Sequence, residues 1–216
     1  MENTACDDAP EAPAGTDGRH VRGDKTRQAL LEAAFGEIYE QGFRSASLSE
    51  IIKKAGCTKG SLYHHFPDKH ALGLAAAEEF MAGYIRGVWI EPLRDTADPL
   101  SEIRAIIERH ANGEIGIDPR RGCPFQNLTQ EMAGIDAGFQ ELFAALFASL
   151  RGAVADALAR GRKTGMVRPD IDPLCVATLI VAGHQGVASM IKATQDLEVG
   201  RAAATAFFDY LESLRP

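Results

Sequence analysis

The sequence predicts an all-α protein, and three observations carry that expectation. Apolar residues recur at three- and four-residue spacing through most of the 216 positions. The periodic runs are punctuated by Gly, Pro and capping residues at helix-like intervals, and no alternating run of strand length competes with them. With 45% apolar and 25% charged residues, the chain has the balance of a globular protein with one or two compact units and a sizeable core. No internal repeat is visible.

The elements follow in order. Residues 1–18, rich in Ala, Pro and Gly with five acids and no Lys or Arg, bury too little apolar surface to offset the entropy of ordering and read as a disordered tail. In "DKTRQALLEAAFGEIYEQGF" the residues Leu30, Leu31, Ala34, Phe35, Ile38 and Tyr39 mark a helix that ends at Gly42. Ser47 and Glu50 have capping-box spacing, so a second helix starts at Leu48, presents Ile51 and Ile52, and stops at Gly56. Thr58 caps a short third helix to about His65, because Phe66-Pro67 disfavours its continuation. Asp68 caps a fourth that runs to about Leu93. Asp98-Pro99 opens the next helix, and the loop "GEIGIDPRRGCP" separates it from "FQNLTQEMAG". A long stripe from Phe139 to Leu158 predicts a buried helix ended by Gly165. Asp172-Pro173 starts another, and "VGRAAATAFFDYLESL" closes the chain. The expected organisation is a tail over 1–18, a small unit over 19–70 and a larger helical unit over 71–216.

Charge is unevenly spread. The net charge of −7 argues, taken alone, against a nucleic-acid binder, yet residues 19–70 hold nine Lys/Arg against six Asp/Glu. The cysteines, Cys6, Cys57, Cys123 and Cys175, form no CxxC pair, so free thiols are expected. No apolar run approaches eighteen residues, and the acidic start lacks the pattern of a signal peptide. A cytoplasmic protein with no membrane partner is expected, and no cofactor motif is present.

The stretch "GCTKGSLYHHFPDKHAL" gathers Cys57, His64, His65 and His70. As a metal site it fails on geometry. His64 and His65 are sequence neighbours, about 100° apart on a helix, whereas helical ligand pairs sit three or four apart. Two helices joined by the tight turn "AGCT" instead describe a helix-turn-helix, whose second helix enters the DNA major groove. Gly60 and Ser61 permit close backbone approach. Lys59 and the hydroxyls of Thr58, Ser61 and Tyr63 suit phosphate, and His64, His65 and Lys69 extend that surface. The alternative for Tyr63 and the two histidines is plain packing or solvated polarity.

The segment from Thr26 to Ala76, "TRQALLEAAFGEIYEQGFRSASLSEIIKKAGCTKGSLYHHFPDKHALGLAA", resembles the N-terminal domain of the TetR family of bacterial transcriptional repressors. "KGSLYHHFPDK" matches that family's recognition-helix pattern. The resemblance implies a homodimer on palindromic double-stranded operator DNA and a helical C-terminal domain that binds a small-molecule effector. It places DNA contacts at Thr26, Ser47, Thr58, Lys59, Gly60, Ser61, Tyr63, His64, His65 and Lys69.

The C-terminal part carries fewer signals. "RRGCPFQNLTQEM" is similar to a Gly-Cys-x-x-x-Asn motif found in a subset of that family, some of which sense electrophiles or oxidants. Pro124 stands where related proteins often carry leucine. Arg120, Arg121 and backbone N–H groups near Cys123 are placed to lower a thiol pKa; the alternative is a small core cysteine. For an effector pocket, Trp89, Phe125, Phe139, Phe143 and Phe147 offer apolar walls, and His110, Gln126, Asn127, Gln130 and His184 offer polar anchors. Core packing is the alternative for the aromatics. Small residues including Gly183 and Gly186, opposite Phe207, Tyr210 and Leu211, predict a dimer face on the last two helices.

Overall fold

The computed structural model describes residues 17–216, with side chains from residue 23 onward, and every regular element among these residues is helical. Helices α1 (Asp17–Gln41), α2 (Leu48–Lys54) and α3 (Lys59–His65), with the first half of α4 (Lys69–Ile85), enclose a small core. Leu30, Leu31, Ala34, Ile51, Leu62, Phe66 and Leu72 fill it. Full burial of each large apolar side chain there is worth about 1.5–3 kcal/mol. Helix α1 begins at Asp17, so the last two residues assigned to the expected tail are helical; the rest of it lies outside the described residues.

The caps are local and mostly as the sequence predicts. Thr58 Oγ1 accepts from the Ser61 amide at 3.1 Å, and Asp68 Oδ1 accepts from the Ala71 amide at 2.8 Å. The capping box at Ser47 does not form. Its side chain makes no cap bond, Ser47 Oγ lies 2.7 Å from Ser49 Oγ, and Glu50 pairs with Lys53 at 3.5 Å. The Ser47 amide, which Glu50 would have satisfied, donates to Glu37 at 3.4 Å. Tertiary packing thus supplies an acceptor that local sequence was expected to supply.

Beyond α4 the chain continues without a break through a π turn (Arg86–Ile90) into α5 (Glu91–Arg94). Pro92 has no N–H for the Val88 carbonyl, and its ring crowds a regular α turn. A wider turn just upstream accommodates that mismatch and carries Trp89 into the core. Then come α6 (Pro99–Ala111), a 3₁₀ turn (Pro119–Arg121), α7 (Pro124–Met132), α8 (Ala137–Thr164), α9 (Pro173–Thr194) and α10 (Leu197–Glu212). Asp98, Asp136, Asp172 and Asp196 each cap the helix that follows. Gly165 (φ 75°) ends α8 in the left-handed conformation, which glycine adopts without steric cost.

Helix α8 packs along α9, and α10 lies against α6 and α9. The larger core also takes in Ile38 and Ala46 from the first unit, and α4 crosses residue 70, so the two units share a continuous packed joint. Helices α8 and α9 are long and apolar enough to cross a bilayer, yet only 33% and 28% of their most apolar stretches are buried within the protomer. On α9, Leu174, Leu179 and Met190 are exposed.

Candidate functional site: a helix-turn-helix surface and a cavity behind it

Helix α3 is pinned by Leu62 and Phe66 on one side and presents the other to solvent. Lys59, Gly60, Tyr63 and His64 are exposed, Ser61 is half-buried, and Thr58 caps their N-terminus. Tyr63 is 46% exposed, and Lys59 Nζ sits 5.9 Å above its ring. His64 and His65 rings stand edge to face at 5.2 Å. Ser47 and Thr26, both half-buried, lie at the start of α2 and on α1. Lys69 is placed differently from an open phosphate contact. It is half-buried, donates to the Arg44 carbonyl at 3.1 Å, lies 5.1 Å above the Phe43 ring, and burial holds its pKa below the usual lysine range. His70 pairs with Asp136 at 2.9 Å. Among the described residues no three His, Cys, Asp or Glu side chains converge to hold a metal.

The larger unit holds a cavity of about 120 Å³, open to solvent on one side, between α4, α6, α9, α10 and the loop before α7. His110, Cys123 and His184 line it. Trp89 lies directly behind, its ring 5.8 Å from His110 and 5.4 Å from His184. The other expected wall residues are core. Phe139 and Phe143 are almost fully buried, Phe125 packs between Phe143 and Phe147 at 5.8 and 4.4 Å, and Phe139 also meets Phe43 at 5.0 Å. These rings belong to the layer between α7 and α8. Gln126 is half-buried and Gln130 is exposed. The actual apolar wall is aliphatic, with Ile107, Ile117, Val187 and Ile191, closed by Phe207.

Phe207 therefore points inward, against Gly183, where an added Cβ would lie 3.0 Å from its ring. Leu211 is buried at 1% exposure, and Tyr210 is half-buried 6.3 Å from Phe207. Of the residues expected to form a dimer face on α10, Leu211 is turned into its own protomer, while Phe207 and Tyr210 are half-buried where α10 packs over the cavity and α6. Gly186 does open outward, with nothing near its Cβ position. It shares an exposed stripe on α9 with Cys175, Leu179, Ala182, Met190 and Ala193.

Polar geometry at the cavity floor is well defined. His110 Nδ1 lies 2.7 Å from the Ile106 carbonyl, which can only accept, so that nitrogen carries the proton. His110 Nε2 is then the acceptor for the Tyr84 hydroxyl. Burial lowers the His110 pKa, and it holds His184 at about 3. Both rings stay neutral near pH 7. Cys123 departs from the expectation of an activated thiol. Burial raises its pKa, outweighing the Gln126 and Phe125 amides that face the sulfur. Of its cationic neighbours, Arg121 is turned away, lying 5.3 Å above the Tyr39 ring.

The Gly-Cys-x-x-x-Asn pattern is a loop-to-helix junction. Gly122 has φ 77°, and a Cβ there would meet Lys192 Cδ at 2.9 Å. Asn127 donates to the Arg121 carbonyl at 2.9 Å and accepts from Lys192 at 2.8 Å. This junction also touches the first unit. Tyr39 donates to the Gly122 carbonyl at 2.9 Å, and at the far end of α7 the Glu131 carboxylate accepts from the Phe43 and Arg44 amides, both at 2.8 Å. Neither Tyr39, Tyr84 nor Glu131 was visible as a site residue in the sequence; a polar group on an otherwise buried helix face was the only available signal.

Residues 30–77 match the family described as "Bacterial regulatory proteins, tetR family", and residues 99–207 match "Tetracyclin repressor-like, C-terminal domain". Over 159 residues the chain is 28% identical to the transcriptional regulator AcuR of Cereibacter sphaeroides, covering 74% of this chain and 73% of that one. A TetR-family regulator from Cytophaga hutchinsonii superposes with a TM-score of 0.79 at 21% identity, over 90% and 96% of the two chains. The regulator FadR of Bacillus subtilis, solved in complex with stearoyl-CoA, superposes with a TM-score of 0.67 at 17% identity, over 85% and 96%. An all-helical fold, a helix-turn-helix and matches to both halves converge: this chain belongs to the TetR family of bacterial transcriptional regulators, and it is not an enzyme.

Proposed function

We propose that the protein is a repressor that holds a palindromic operator as a homodimer and releases it when a small molecule fills the cavity. Regulators of this family are generally ligand-responsive, bind operator DNA and act as dimers. The observation that carries the reading for this chain is the double attachment of α7. One end forms the cavity wall at Cys123, beside the Gly122 carbonyl that holds Tyr39, and the other holds the Phe43–Arg44 turn through Glu131. A change in the cavity wall therefore bears directly on the unit that presents α3.

The mechanism is linkage. A ligand that lowers operator affinity about 100-fold needs about 2.8 kcal/mol of coupling, supplied by fitting one spacing of the two α3 helices better than another. Dimerisation supplies the second α3 helix, since one short helix makes few base contacts. The outward apolar face of α9, with Leu179 and Met190, suits that role. Acting on bacterial DNA places the protein in the cytoplasm.

Pull-down and sequencing of DNA from the protein's own genomic neighbourhood tests this reading. Salt-dependent binding to an inverted repeat supports it; no retained sequence there sinks it. A second reading, a covalent switch at Cys123, rests on that thiol lining the cavity. Its raised pKa opposes the reading, and unchanged operator binding by protein fully modified at Cys123 would end it.

A further inference from the structure

We propose that the cavity takes a small uncharged molecule, about one six-membered ring in size, whose single hydroxyl is held by His184 and the Tyr84 oxygen, or whose single carbonyl is held by His184. This rests on reading the cavity as the effector site.

Size comes first. About 120 Å³ is slightly less than the roughly 150 Å³ that houses one benzene molecule. The walls from Ile107, Ile117, Val187, Ile191 and Phe207 favour an apolar body.

The hydrogen-bonding inventory then fixes the polar end. Tyr84 has one proton, and it is spent on His110 Nε2, because His110 Nδ1 already donates to the Ile106 carbonyl. The Tyr84 oxygen is left with acceptor capacity only, part of which the Trp89 side chain already engages. His184 has ring contacts with Trp89 and His110 but no hydrogen bond among the described residues, although it lines the cavity. Its neutral ring offers one donor and one acceptor. A ligand hydroxyl can answer both, accepting from the His184 N–H and donating to Tyr84; a carbonyl can answer the N–H alone.

Charge is excluded by what surrounds that end. Among the described residues no Asp, Glu or Lys lines the cavity. Arg201 is the one lining cation, and it is exposed and paired with Glu198. A carboxylate would lose water without gaining a fixed deep cation, and an ammonium would find no acid. The low pKa values of His184 and His110 agree with this, since neither ring charges readily to meet an anion.

Trp89 is the chain's only tryptophan and touches both histidines, so its emission reports occupancy. Four probes of one ring size separate the terms: benzyl alcohol, benzoate, benzylammonium and toluene, titrated into the full-length protein at neutral pH. Benzyl alcohol is expected to bind saturably and at least about tenfold tighter than each of the others. In His184→Leu the preference for benzyl alcohol over toluene is expected to fall to about twofold or less; if that variant does not fold, Tyr84→Phe takes its place with a partial loss. Benzoate or benzylammonium binding as tightly as benzyl alcohol overturns the proposal, and so does silence from all four. An operator gel shift separates the underlying reading. If benzyl alcohol occupies the cavity but operator is retained, the ligand class stands and the effector role of the cavity fails.

Discussion

At the residue scale, the exposed surface of α3 and the buried floor of the cavity make opposite demands on polar groups. Lys59 is exposed beside Tyr63, with its ammonium in water. If it neutralises one phosphate per protomer, Lys59→Ala removes two phosphate contacts from a dimer. The slope of log affinity against log salt is then expected to shrink by roughly two, and gel shifts at several salt concentrations read it directly. An unchanged slope places Lys59 off the DNA. His184 is governed by burial. Its folded pKa of about 3 lies below the ordinary histidine value of about 6.5, so as pH falls through that window the unfolded chain takes up a proton that the folded chain does not. Its contribution to stability is complete above about pH 6.5 and is lost progressively toward pH 3. His110 is shifted in the same direction. Thermal melts at pH 7 and pH 5 are expected to show a larger drop for wild type than for His184→Leu. The lowered Asp98, Asp136 and Asp172 titrate only at more acid pH, so an early loss identifies the histidines.

At the scale of elements, α7 is a short strut with a contact at each end. Gly42 illustrates how closely its far end fits: with φ 80° and the Glu131 carboxylate 3.0 Å from where a Cβ would stand, no larger residue suits that turn. Glu131→Ala leaves the partly buried Phe43 amide without its acceptor, a loss of about 1–3 kcal/mol. Calorimetry should show the lower melting temperature. Operator affinity with and without a cavity ligand should differ by a smaller factor than in wild type. If destabilisation occurs while that factor is unchanged, α7 is a structural prop and coupling runs through α4. Capping residues and glycine stops made these elements legible in the sequence, because each cap acts within one turn of chain. The Ser47–Glu50 box was misleading for the same reason: local spacing carries no information about Glu37, ten residues back on a packed neighbour.

At the scale of the molecule, α9 has apolar surface that one protomer does not cover, at Leu174, Leu179 and Met190. The stripe of Leu179, Ala182, Gly186 and Met190 is small enough for close helix approach. Leu179→Glu is expected to shift the protein from dimer to monomer in sedimentation and to weaken operator binding by at least about tenfold, since a charge buried at the interface is costly. A dimer that survives this change and Met190→Glu together uses another face.

The sequence by itself determined the helices, most of their caps, the short exposed α3 and the family, because these depend on residues within a few positions of one another. Only the tertiary structure decided which aromatics are wall and which are core. Phe125, Phe139 and Phe143 have the composition of a pocket but are consumed in packing α7 on α8, whereas Phe207 looked like an interface residue and closes the cavity. A cavity is what remains when side chains from distant segments fail to fill a space. Tyr84, His110, Cys123, His184 and Phe207 come from parts of the chain far apart in sequence, and no spacing rule along the chain links them.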